Sequence, residues 1–153
     1  MLAEVTLRET AAVIGLRLQD QIPYDAFAFF DWDGAALHPL FVGGKHGDLF
    51  RGLKVPRREG LVGWVLENQK AIINGNPAVE PGYPQSAVHT LLSALAIPAT
   101  TSDATQVVLA LYRSNAEAFR DQELALARFL CSRVGLTVEE TALPPSLTQV
   151  TPS

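Results

Sequence analysis

The sequence predicts an α+β sandwich, with a central antiparallel sheet, helices from both termini on one face, and a short helix and loops over the other. Three observations carry this expectation. Two pairs of strand-like runs, within residues 24–42 and 91–113, each flank a turn. Long helical periodicity is confined to the two ends, residues 2–20 and about 121–140. Between the strand pairs, residues 60–75 read GLVGWVLENQKAIING, a short helix followed by a short strand.

Each element has its own local reason. In residues 2–20, Leu7, Ala11, Ile14 and Leu18 form one apolar stripe at i, i+4, i+7 and i+11, which Val13 and Leu16 widen. Ile22-Pro23 ends this helix, because the residue before proline avoids the helical region. Residues 24–32 and 35–42 form a hairpin around Asp33-Gly34, a dipeptide suited to a two-residue type I′ turn. Alternation puts Phe27 and Phe29 on one face of the first strand and Ala28, Phe30 and Trp32 on the other, so both faces require cover. Pro39 has no N–H to donate, which places its strand at an edge or beside a bulge. Residues 43–59 form a glycine-rich loop anchored by Leu49, Phe50, Leu53 and Val55.

In the central stretch, Leu61, Val62, Trp64, Val65 and Leu66 recur at helical spacing, and Gly63 admits a close neighbour. Ala71-Ile72-Ile73 is β-prone and Asn74-Gly75 breaks it. Residues 76–85, NPAVEPGYPQ, form an irregular covering loop. The second hairpin joins residues 91–99 to 105–113. Leu91, Ser93, Leu95 and Ile97 are expected to share a face of its first strand. On its second strand, Val107, Leu109 and Leu111 oppose Val108, Ala110 and Tyr112. In the last helix, Leu124, Ala127, Cys131, Val134 and Val138 make a heptad seam, with Ala125, Phe129 and Leu136 as a second stripe.

Residues 60–75 resemble the G-x-x-G-x-v segment of GAF domains, in which the helix lids a small-molecule pocket. Gly60, Gly63, Trp64 and Val65 carry the match, and Ala71 stands where that family often has proline. Ser93-Ala94-Leu95-Ala96-Ile97-Pro98 and the strand after it resemble the family's paired central strands, without the glycine often found near Val108 or Leu109. The resemblance covers about residues 5–140 and implies a GAF-like, PAS-related sandwich. A PAS domain is the alternative, but its long helix lies between strand groups, whereas here the helices are terminal. The GAF layout implies a pocket lined by Phe29, Phe50, Trp64, Tyr83, His89 and Ser93, with Gln106 beside them. Trp64 either stacks on a ligand or plugs the core.

The resemblance implies a non-catalytic regulatory or sensor domain of a bacterial signal-transduction protein. Such a module binds a small molecule or a partner and relays the change through its terminal helices. Its output domain would be a kinase or a cyclic-di-nucleotide enzyme. The alternative is a GAF domain with a filled pocket that serves only for dimerisation. The two apolar sides of the last helix point to a homodimer through the terminal helices.

Composition bounds the rest. A chain of 153 residues with 48% hydrophobic content forms one domain, and at this size buries roughly 70% of its unfolded surface. The domain is expected to span residues 1–141. Residues 142–153, ALPPSLTQVTPS, read as a flexible linker or tail; as a linker they would lead to a covalently joined output domain. No apolar run reaches the ~18 residues of a membrane span, and no secretory leader is evident. A net charge of −4 with 12 Lys and Arg argues against nucleic acid. The single thiol, Cys131, suits a cytoplasmic location and cannot run a disulfide cycle. His38, His46 and His89 lack metal-ligand spacing, and Gly43-Gly44-Lys45 lacks P-loop spacing. No nucleophile elbow is present. No cofactor, metal or catalytic residue is therefore expected.

Overall fold

The computed structural model describes residues 2–138, with side chains from Leu7 onward, so the expected linker at 142–153 lies outside the described residues. In chain order the elements are α1 (Leu2–Gln21), β1 (Ala26–Trp32), β2 (Leu37–Gly43), α2 (Gly60–Asn68), β3 (Ile72–Gly75), β4 (Ser93–Thr100), β5 (Gln106–Arg113), α3 (Asp121–Arg133) and β6 (Thr137–Val138). The strands form an antiparallel sheet in the order β2-β1-β5-β4-β3, with β6 pairing β4 beyond the end of β3.

The sheet separates two apolar layers. Ala11, Ile14, Leu18, Phe27, Phe29, Leu95, Ile97, Leu109, Leu111, Ala127 and Cys131 pack together on the side of α1 and α3. Ala28, Phe30, Phe50, Val62, Val65, Leu66, Tyr83, Leu91, Val108, Ala110 and Tyr112 pack on the side of α2 and the covering loop. The expected α+β sandwich is thus the observed one. The opposed residues of β1 and β5 fall on the faces that alternation assigns, because a two-residue repeat is a local property of the strand. Leu91 differs from expectation: β4 begins at Ser93, so Leu91 precedes the strand and joins the α2 layer.

Pro39 sits where its missing N–H costs least. β2 is an edge strand, and the register slips so that Phe29 faces Phe41 while Phe30 faces Pro39, leaving Leu40 as the extra residue. Two expectations are corrected. The β1–β2 connection is not a two-residue turn: Trp32 pairs with Leu37, so residues 33–36 form it. Asp33 Oδ1 accepts from Ala35 N at 2.7 Å and Ala36 N at 2.8 Å. This side-chain turn replaces the type I′ geometry.

The last helix does not reach residue 140. It stops at Arg133, and Gly135 adopts φ +92°. Leu136 N donates to Cys131 O and Gly135 N to Ser132 O, the paired bonds of a glycine C-cap. The chain then returns to the sheet, where Thr137 and Val138 pair with Thr100 and Ala99. Val134 and Val138 therefore do not extend a helical seam. Of the residues expected to widen the apolar stripes, Leu16 is 74% exposed and Phe129 55%.

Candidate functional site

Helix α2 is held over the sheet by contacts that its own sequence does not contain. Leu61, Val62, Val65 and Leu66 point inward, and Gly63 lies so close to Pro56 that a Cβ there would collide with the Pro56 carbonyl. The N-cap residue, Glu59, makes no side-chain capping bond. Glu80 supplies it from the covering loop. Its Oε1 accepts from Leu61 N at 3.0 Å and its Oε2 from Val62 N at 3.1 Å, and the residue is only 3% exposed. Burial raises the Glu80 pKa from the ordinary 4.5 to about 7, although the two amide bonds favour the ionised form. Gly60, at φ +63°, leaves room for this carboxylate; a Cβ there would strike Glu80 Oε1 and Pro81.

Beneath α2 lies an aromatic cluster. The rings of Phe50 and Tyr112 stack with centroids 4.1 Å apart, and Tyr83 tilts against Phe50 at 5.7 Å. The Tyr83 hydroxyl donates to Ala87 O at 3.1 Å. The Tyr112 hydroxyl is fully buried without a hydrogen-bond partner among the described residues. Burial raises its pKa well above the ordinary value, and the nearby Glu80 and Tyr83 add to the shift.

The expected pocket residues are only partly brought together. Phe50 and Tyr83 meet beneath α2. Phe29 lies across the sheet in the α1/α3 layer, because it alternates with Ala28 and Phe30. Trp64 is 40% exposed and turned away from the sheet, since the inward arc of α2 runs through residues 61, 62, 65 and 66. Ser93 is fully buried at the start of β4, where its hydroxyl donates to Asn115 O at 2.7 Å. His89 lines a separate groove at the end of the sheet, with Asn74, Asn76, Ala78, Val88, Leu92, Ala116 and Glu117. Gln106 accepts from Arg57 Nη2 at 3.2 Å.

Sequence reasoning passed over Glu80 and Tyr112. Tyr112 was within reach, because alternation on β5 groups it with Val108 and Ala110, opposite Leu109. Glu80 left no comparable signal, since its partners lie 18 and 19 residues away. Cys131 is fully buried between α3 and the sheet, and burial pushes its thiol up to about 12. Among the described residues, no group of three or more His, Cys, Asp or Glu could hold a metal ion, and no helix is long and apolar enough to cross a membrane.

An antiparallel sheet with both terminal helices on one face and a capped short helix on the other defines a GAF-like α+β domain. A family-level comparison matches the GAF domain over residues 4–139, and the chain belongs to that family. Among solved structures, it resembles the GAF domain of a phosphoenolpyruvate-protein phosphotransferase from Coxiella burnetii. That match has 21% identity and a TM-score of 0.64, covering 84% of this chain and 82% of the other. It also resembles the GAF domain of a two-component sensor histidine kinase from Bacillus halodurans, at 20% identity and TM-score 0.63, covering 80% and 86%. A type II free methionine-R-sulfoxide reductase from Thermoplasma acidophilum aligns at 15% identity and TM-score 0.64, covering 86% and 93%. At these identities the likeness is one of fold. None of the curated proteins compared matches significantly.

Proposed function

We propose that this chain is a non-catalytic regulatory domain of a bacterial signal-transduction protein. It binds a small molecule or a partner and passes the change through α1 and α3 to a covalently joined output domain. The observation that carries this reading is the position of the single thiol. Cys131 is buried on the helix face of the sheet, opposite the aromatic cluster, with its pKa raised to about 12. Thiol reduction chemistry needs accessible thiolate and a second sulfur, so the reductase with the same fold is a poor guide to this chain. The likeness to a GAF domain from a sensor histidine kinase favours the regulatory reading. The test is incubation of the purified protein with free methionine sulfoxide and a thiol donor. No consumption above the protein-free control is expected, and turnover would overturn the reading.

The second reading is a dimerisation module whose space beneath α2 is filled. The mutual packing of Phe50, Tyr83 and Tyr112 favours it. Both readings share a cytoplasmic homodimer built from α1 and α3, supported by the outward Leu16 and Phe129. Co-purification separates the two. Native mass spectrometry that finds a bound small molecule supports the sensor, whereas a ligand-free dimer supports the module.

A further inference from the structure

The connection from β5 to α3 has no regular structure, yet it is pinned along its length. Ser114 N donates to Asp25 Oδ2 at 2.8 Å and Ser93 Oγ to Asn115 O at 2.7 Å. Arg113 Nη1 donates to Ala118 O at 2.7 Å. Asn74 Nδ2 donates to Phe119 O at 3.0 Å, and Phe119 N donates to Asn74 Oδ1 at 2.9 Å. Within this fixed frame Glu117 adopts φ +49° and Asn74 φ +63°. Left-handed backbone at residues other than glycine persists only where the surroundings over-determine it.

This loop forms one wall of a groove of about 500 Å³. Asn76, Ala78, Val88 and His89 line it further, with Leu92, 40% exposed, among the apolar residues. The groove is open to solvent, and Asn76, His89 and Glu117 in its lining are exposed. Both polar atoms of the Asn74 side chain are spent on the loop and Asn76 Oδ1 accepts from Ala78 N at 3.0 Å, so the side-chain groups left to a ligand are the Asn76 amide nitrogen, His89 and Glu117. Glu117 and His89 make no hydrogen bond or ion pair among the described residues. Glu117 is the one carboxylate in the lining and no Lys or Arg opposes it, so the groove favours a cation.

We propose that this groove binds a small organic amine, with its ammonium against Glu117 and its apolar body over Leu92, Val88 and Ala78. The inference rests on the sensor reading and deepens it by naming the ligand class and placing the ligand at the end of the sheet. The pinned loop gives such a ligand a route to the rest of the fold. Asn74 joins the loop to β3, Ser93 joins it to β4, and Phe119 continues into the α3 layer.

Three probes with one branched hydrocarbon body and different charge test this on the whole chain: isoamylamine, isoamyl alcohol and isovalerate. Each is titrated into ¹⁵N-labelled protein while the amides of Val88, His89, Leu92, Ala116 and Glu117 are followed. The amine is expected to move these amides and to bind roughly threefold more tightly than the alcohol, as a solvent-exposed charge pair allows, with isovalerate weakest. Glu117→Gln should erase the advantage of the amine while leaving the alcohol unchanged. Glu117→Gly, which suits the φ of +49°, should do the same without strain. Equal binding of all three probes, or no shift from any of them, overturns the proposal. Shifts clustered at Phe50, Tyr83 and Tyr112 overturn the groove as the site while leaving the sensor reading intact.

Discussion

Glu80 spends two strong acceptors on the first turn of α2 while carrying a charge that its surroundings resist. Its folded pKa of about 7 lies above the ordinary 4.5, so the folded state holds the proton more tightly than the unfolded chain. The sign follows from this. The group's contribution to stability is fully present below about pH 4.5, falls as the pH rises, and levels off above about 7. Stability from denaturant unfolding should therefore decline between pH 5 and 8, by on the order of 2–3 kcal/mol from this group. Glu80→Gln should flatten that decline; an unchanged slope in the variant would assign the pH dependence elsewhere. Cys131 supports a second residue-scale prediction. With its thiol buried and raised to about 12, the native protein should not react with an aromatic disulfide reagent at pH 8, and one equivalent should react after unfolding.

Two glycines place their elements by different physics. Gly63 brings α2 against the backbone at Pro56, where a methyl group would meet a carbonyl that cannot easily retreat. Gly63→Ala should therefore destabilise the protein by about 1–3 kcal/mol, the usual cost of overpacking. Gly135 has open space around it, but its φ of +92° is one that a side chain resists. Gly135→Ala should cost about 1–2 kcal/mol, through backbone conformation alone. Urea unfolding of both variants checks this. If Gly135→Ala proved as stable as wild type, α3 would continue past Arg133 without penalty. In sequence terms Gly135 can be read as a tolerated interruption of a long heptad. The structure makes it the stop signal, with Leu136 buried immediately after it.

For the whole molecule, the early end of α3 changes how the described chain finishes. The C-terminal path runs through β6, paired by two residues to β4, and not along an unbroken helix. α1 and α3 still present outward Leu16 and Phe129, and these define the dimer prediction. Light scattering of the wild type should give twice the monomer mass. Leu16→Glu or Phe129→Glu should return it to monomer with the circular dichroism spectrum unchanged, because both side chains face outward. A wild type that stays monomeric at tens of micromolar would remove the isolated domain as a dimer.

The order of the elements up to α3, the α1 stripe, the two faces of β1 and β5 and the edge position of Pro39 were legible in the sequence, whereas β6 was not. Each depends on a repeat of 2 or 3.6 residues, or on the chemistry of one residue. The Phe50–Tyr83 contact in the candidate site was legible through the GAF resemblance. Alternation separates Phe29 from Phe30 but does not say which of them will lie under α2, because that depends on which way the chain crosses the sheet after β2. Likewise, helical spacing admits Trp64 to an apolar arc, and only packing against residues 56–58 and the sheet turns it outward. The Glu80 cap and the groove formed by Asn74, His89 and Glu117 join segments 15 to 43 residues apart in the chain. No local pattern encodes such distances, so the tertiary structure alone decided them.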